Sequence, residues 1–471
     1  MKETVVALAL MAMVIAGIDG KGWAFHDGGV GACDGCHTMH NSTGGQPVQL
    51  KNGAVPSATV GQASNAYLMK GTDPSSTCLN CHQETGNAAA TGQFISTSPA
   101  DMPAGYPPIE LTPGGDFGWL QKTYTWVYSS TQYTDPGQNH GHNIVAADFN
   151  YVKDSTIITA PGGTYPASAL SCISCHDPHG KYRRNSGGSI TKGGSPIIGS
   201  GSYNTSPTPA AGQAVGVYRL LGGVGYQPGY LLGSYAFTYA PPPAVAPSVY
   251  NQSESTYPVR VAYGSDGSSN GMSFWCRNCH PNIHTWSGPS APLNVYNQTY
   301  SFPQTHPIES YLSMGTNNNY NAYIESGVYT GTQSTSYWSI VPYEENNLNY
   351  STLASHANNN GSYLTGPSSS DYVSCMTCHR AHATGWDYNL RFNYLGINDG
   401  LHGWTQIIDD NSGGAVWPDP VLDPYKAMGR TTTETQQAYY GRPATTYSAT
   451  QYVLCNKCHY SGMGGGGGSG R

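Results

Sequence analysis

The chain has 471 residues, of which 38% are hydrophobic and 10% charged, and its formal net charge is −7. Such a sparse basic content excludes the Lys/Arg patch of a nucleic-acid binder, and no stretch reaches the roughly 18 unbroken apolar residues that span a bilayer. Sixty glycines and 32 prolines leave too few aliphatic residues for an ordinary core, so something other than the polypeptide is expected to supply apolar mass.

In chain order, residues 1–24 read as an export signal: Lys2 gives a weak positive start, residues 5–17 are apolar, and Gly22-Trp-Ala24 fits a small-x-small cleavage site. The exported chain would begin at Phe25-His26. Six Cys-x-x-Cys-His stretches follow, at Cys33/Cys36/His37, Cys78/Cys81/His82, Cys172/Cys175/His176, Cys276/Cys279/His280, Cys375/Cys378/His379 and Cys455/Cys458/His459. This spacing is the attachment signature of c-type haem: two sulfurs one helical turn apart bond the porphyrin edge, and the next residue is carried over the iron. One match would be compatible with chance or with half of a zinc site. Six matches that consume all 12 cysteines point to six haem c groups and leave no thiol for a disulfide.

The motif histidines are separated by 45, 94, 104, 99 and 80 residues, so no solenoid period is present. Between motifs the text is turn chemistry, such as Thr112-Pro-Gly-Gly-Asp116 and Ala160-Pro-Gly-Gly-Thr164. The expected fold is therefore mostly coil with short α or 3-10 helices at the motifs and very few strands, organised by a haem array that acts as core. Residues 123–128 and 259–263 alternate well enough for short strands. Residues 25–461 are expected to form a single unit, and the glycine-rich tail 462–471 to be flexible.

The second axial ligand decides what each iron can do, since an iron with two histidines passes electrons and one with an open face binds substrate. Ten histidines remain after the six motif residues. His40, His179 and His382 each lie three residues past a motif histidine, on the same face of a turn. Such a side chain cannot loop round to its own iron and is placed to reach a neighbouring one. With His26, His142 and His356 they form the expected distal set; His284 and His306 are reserves, and His140 and His402 read as surface residues. Lys181, Arg183, Arg184, Arg277 and Arg380 sit beside motifs, either as partners of haem propionates or as solvated turns.

Phe25-His-Asp-Gly-Gly-Val-Gly-Ala-Cys-Asp-Gly-Cys-His-Thr-Met-His-Asn41 resembles the start of the extracellular filament-forming cytochromes of metal-reducing bacteria. Further agreement comes from Pro113-Gly-Gly-Asp-Phe-Gly-Trp119, Cys175-His-Asp-Pro-His-Gly-Lys-Tyr-Arg-Arg184, Arg260-Val-Ala-Tyr-Gly264, Cys378-His-Arg-Ala-His-Ala383 and Tyr439-Tyr-Gly-Arg442. The likeness runs over essentially the whole exported chain and is to the hexahaem type. It implies a head-to-tail homopolymer in which His40 ligates the haem of His379 in the adjacent subunit. It also implies an extracellular or cell-surface location and electron delivery from redox partner cytochromes to acceptors such as metal oxides or electrodes. The additional His140 and His402, the Asn/Tyr-rich segment 313–350 and the tail depart from that pattern. Without the resemblance, two other readings stand: a monomeric periplasmic electron shuttle, and a multihaem reductase with one open iron.

Overall fold

In a computed structural model, the protein is described at residues 33–37, 69–84, 93–228, 235–247, 259–283, 330–393, 408–412 and 414–447. Short pieces at 42–43, 46–47, 50–51, 55–56, 292–295, 298–301, 308, 311–312, 319–323 and 457–458 complete the described set. The export signal, His26, His40, His284, His306, His402, Cys455, His459 and the tail lie outside it.

Each described attachment motif carries a short helix, the turn that the thioether spacing calls for. Single turns at Cys33–Cys36 (α1), Cys172–Cys175 (α3) and Cys375–Cys378 (α6) hold just the two cysteines. Pro74–His82 (α2) and Met272–Cys276 (α4) are slightly longer. Each start has a local cause. Asp73 caps α2 through the Ser76 amide, with Pro74 at the first helical position, where its missing N–H costs nothing. Ser171 with Ser174, and Ser374 with Thr377, form reciprocal caps around α3 and α6. Tyr350–His356 (α5), Pro424–Ala427 (α7) and Thr432–Ala438 (α8) lie away from the motif cysteines.

Strands are short and local. Tyr124–Tyr128 (β1) and Thr131–Asp135 (β2) form a hairpin whose two turn residues, Ser129 and Ser130, both adopt positive φ. Tyr124 and Trp126 face inward while Thr125 and Val127 face out, the alternation seen in the sequence. Tyr182–Asn185 (β3) is the centre of a three-stranded antiparallel sheet with Ile190–Lys192 (β4) and Ala214–Gly216 (β5). Ala244–Val245 (β6), Ala262–Ser265 (β7) and Glu344–Asn346 (β8) form a mixed sheet in which β7 pairs parallel to β8. The strand expected at 259–263 is thus displaced towards 265, because Arg260 pairs as a lone bridge with Asn358 instead.

The polypeptide adds its own apolar cluster, and it is aromatic. Phe117, Trp119, Trp338, Trp386, Trp417, Tyr439 and Tyr447 are buried together, with Cys172, Cys378 and Cys458 packed at its edge. Trp417 stacks on Tyr439 at 4.8 Å and Trp386 meets the same ring edge-on at 5.1 Å. The chain therefore compensates for its aliphatic poverty with wide, flat side chains that abut the attachment cysteines.

Candidate haem sites

The thiols follow one another in space in chain order. The Cys36 thiol lies near Cys81, and the Cys78 and Cys172 thiols are neighbours. Cys175 lies near Cys279, and the Cys276 and Cys375 thiols are neighbours. The Cys78–Cys172 and Cys276–Cys375 junctions are built alike. Ser75, three residues before Cys78, accepts the Cys172 amide at 3.1 Å, and Ser273, three before Cys276, accepts the Cys375 amide at 3.1 Å. Motifs two and three thus repeat the arrangement of motifs four and five.

Three pairs of histidines face each other. His37 and His179 have ring centroids 6.5 Å apart, His176 and His382 6.5 Å, and His280 and His142 6.1 Å. Each pair joins one motif histidine to one residue of the expected distal set. Metal–imidazole bonds of about 2 Å, plus roughly 1 Å from each ring centre to its nitrogen, add up to about 6 Å across one iron. The residues present therefore fit an iron between each pair. The angles between ring planes are 12°, 62° and 46°, a freedom each ring would have by turning about a bond to that iron.

The ring nitrogens are also assigned. Nδ1 of His82, His142, His176, His280 and His379 lies 2.6–2.8 Å from the carbonyls of Gln93, Ala381, Arg219, Pro161 and Tyr388. A carbonyl only accepts, so Nδ1 carries the proton and Nε2 is left as the lone-pair donor a metal needs. Burial disfavours the charged ring and acts the same way: it lowers His142 and His176, holds His280 at about 4 and His382 at about 3, and so keeps these imidazoles neutral.

Nothing in the sequence points to these carbonyl acceptors, and two of them share a device. Arg219-Leu220 and Tyr388-Asn389 are consecutive non-glycine residues at positive φ, and each run turns its first carbonyl onto the motif histidine. The next residue, Leu221 or Leu390, then bridges to that histidine's backbone. Backbone strain of this kind costs energy and persists where the surroundings impose it. The Pro-Gly-Gly turns, read above only as turns, are the other half of the support. Pro161 offers its carbonyl to His280, and a Cβ on Gly163 would meet Cys279 O at 2.0 Å. Gly114 O accepts the His382 amide at 2.7 Å, while Gly115, at φ +99, lies where a Cβ would meet Ala383 O at 2.0 Å. Only glycine lets these loops lie against the motifs.

The remaining expected residues have surroundings of their own. No described motif histidine faces His356, which stacks flat on Tyr363 at 3.9 Å and bonds Glu345 Oε2 through Nδ1 at 2.6 Å. Arg260 holds the same carboxylate at 2.7 Å. His140, expected at the surface, is wholly buried, with its two nitrogens on Trp119 O and Asp135 Oδ2. Arg430 Nη2 reaches that same Asp135 oxygen at 2.6 Å, so His140 belongs to a buried ionic cluster. Arg380 lies 3.3 Å over the Tyr440 ring and bonds Pro113 O, and Arg184 covers Tyr350 at 4.0 Å.

No protein-family model matches the chain. The C-type cytochrome OmcS of Geobacter sulfurreducens is 46% identical over 456 residues, 96% of this chain and 98% of that protein. The solved Outer Membrane Cytochrome S filament from the same organism superposes with a TM-score of 0.80 at 47% identity, covering 92% of this chain and 99% of that one. A cryo-EM structure of the OmcS nanowires gives the same TM-score at 46% identity and the same coverage. With near-complete mutual coverage, a coil-rich fold of the same kind and six attachment motifs, the chain belongs to the family of OmcS-type c-type cytochromes.

Proposed function

We propose that this protein is the subunit of an extracellular cytochrome filament that carries electrons over long distances to acceptors such as metal oxides or electrodes. Haem c, when bound, supplies a one-electron iron couple. The chain fastens six such groups at its twelve cysteines and closes each iron between two histidines. The pairs are His37 with His179, His176 with His382, and His280 with His142. For the irons of His82, His379 and His459, the remaining ligands are His26, His40 and His356. His40 reaches the His379 haem of the adjacent subunit. After an export signal over residues 1–24, residues 25–461 act as one haem-bearing unit, loaded by redox partner cytochromes.

The observation that carries this reading is the set of three facing pairs at 6.1–6.5 Å, each with a motif histidine on one side. Closed irons suit conduction rather than substrate binding. The filament itself is supported by the relatives, whose solved forms are filaments and nanowires. Among the described residues no helix is long and apolar enough to cross a membrane. Intact mass gives the haem count, and carbon monoxide added to the reduced protein tests for an open iron. Six haems and no carbon monoxide adduct are expected; a stoichiometric adduct in undamaged protein would instead mark a reductase.

A further inference from the structure

Beside His179 and Ile173 of α3 lies a cavity of about 660 Å³ lined by Lys181, Arg183, Lys192 and Tyr226 among others. Its lining carries three cations and one acid. That acid, Asp177, is already occupied, because its oxygens accept the backbone N–H of His179 at 3.1 Å and of Lys181 at 2.9 Å. Among the described residues none of the three cations is in an ion pair. Arg183 is fixed in place by Ser195 O at 2.7 Å and Gly180 O at 3.3 Å, both through nitrogens other than Nη2. Among the described residues Lys192 Nζ bonds Gly225 O, at 3.4 Å. The neighbouring Arg184 leaves the cavity for Tyr350, so β3 sorts its basic residues between two destinations.

Resting on the functional reading above, we propose that Lys181, Arg183 and Lys192 grip the propionate carboxylates of the haem held between His37 and His179. An uncompensated cation cluster beside a wide cavity calls for an anion, and a guanidinium flanked by ammonium groups matches paired carboxylates. The haem fastened at Cys33 and Cys36 presents its carboxylate edge opposite those cysteines, and His179, on the cavity wall, is its facing ligand. Carboxylates near an iron favour its more positive, oxidised state. Cations that neutralise them favour the reduced state, so this cradle raises the potential of the first haem. His40, proposed above as the ligand to the adjacent subunit, follows His37 by three residues in the sequence, so the cradle would set the level at which electrons cross between subunits.

The test uses the full haem-loaded protein with Lys181→Gln, Arg183→Gln and Lys192→Gln, singly and combined, in spectroelectrochemical titrations at low and high salt. One of the six components is expected to move to lower potential, most in the triple variant and more at low ionic strength, with six low-spin haems retained. Lys181→Arg should keep the native potential. A His179→Met variant marks the first haem by displacing its component. The proposal is overturned if all six components stay in place while the haems remain intact, or if the component that moves is not the one His179→Met displaces. A native protein with fewer than six haems or with an open iron would overturn the functional reading instead.

Discussion

Gly115→Ala separates the two costs that hold the His382 loop in place. At φ +99 the backbone is left-handed, and an L side chain there costs about 1–3 kcal/mol. The new Cβ would also lie 2.0 Å from Ala383 O, the carbonyl that accepts the Asp116 amide at 3.0 Å, and overpacking of this kind costs about 1–3 kcal/mol more. The sum is about 2–6 kcal/mol. Gly188 supplies the control, since it has φ +81 with nothing within 4 Å of an added Cβ. Gly188→Ala should show the backbone cost alone. Gly187, with equally open space and no left-handed φ, should tolerate alanine with no loss or a gain of about 0.4–1 kcal/mol. Denaturant midpoints of the three variants, with the near-infrared band of bis-histidine haem recorded alongside, make the comparison. Gly115→Ala is expected to be the least stable and to lose that band at one haem, because His382 moves with Ala383. If Gly115→Ala is no less stable than Gly188→Ala and keeps all its low-spin haems, the loop does not position His382 as described.

Three further outcomes are expected. Burial, then the nearby Asp116 and Glu84 carboxylates, push Glu110 up to about 8, so its folded form is neutral where the unfolded one ionises. A raised carboxyl stabilises fully below the unfolded value of about 4.3 and loses that contribution as pH climbs through about 8. Glu110→Gln should therefore flatten the fall in stability between pH 5 and pH 8, read from denaturation at both values. His382→Ala should convert one low-spin haem to an open form that binds carbon monoxide, seen by absorbance, while the other haems keep their spectra. Arg430→Leu strands Asp135, whose carboxyl His140 and Arg430 now hold below its usual range, and should cost about 3–5 kcal/mol in urea denaturation.

How much of this was legible in the sequence depends on whether the cause was local. Cysteine spacing and the position of His179 and His382 are turn geometry, and the structure sets those two rings opposite His37 and His176. Ser171 and Ser374 as caps are equally local. His140 was misplaced because what buries it comes from afar: Arg430 lies 295 residues beyond Asp135 in the chain. The carbonyls of Arg219 and Tyr388 left no trace because the left-handed turn that aims them uses residues which rarely adopt it, so nothing in their identity announces the conformation. The Pro-Gly-Gly turns carried a readable signal. Two identical tripeptides, at Pro113 and Pro161, each proved to support a different histidine.

The central claim is a closed line of haems that continues from subunit to subunit through His40. The most direct measurement is the assembly state of native protein and of His40→Ala, by sedimentation and negative-stain microscopy, with haem spin state taken on the same samples. Long filaments in the native protein, with short or monomeric particles and one low-spin haem lost per subunit in the variant, are the expected result. Monomers in both samples, or filaments of equal length with every haem still low-spin in the variant, would contradict it.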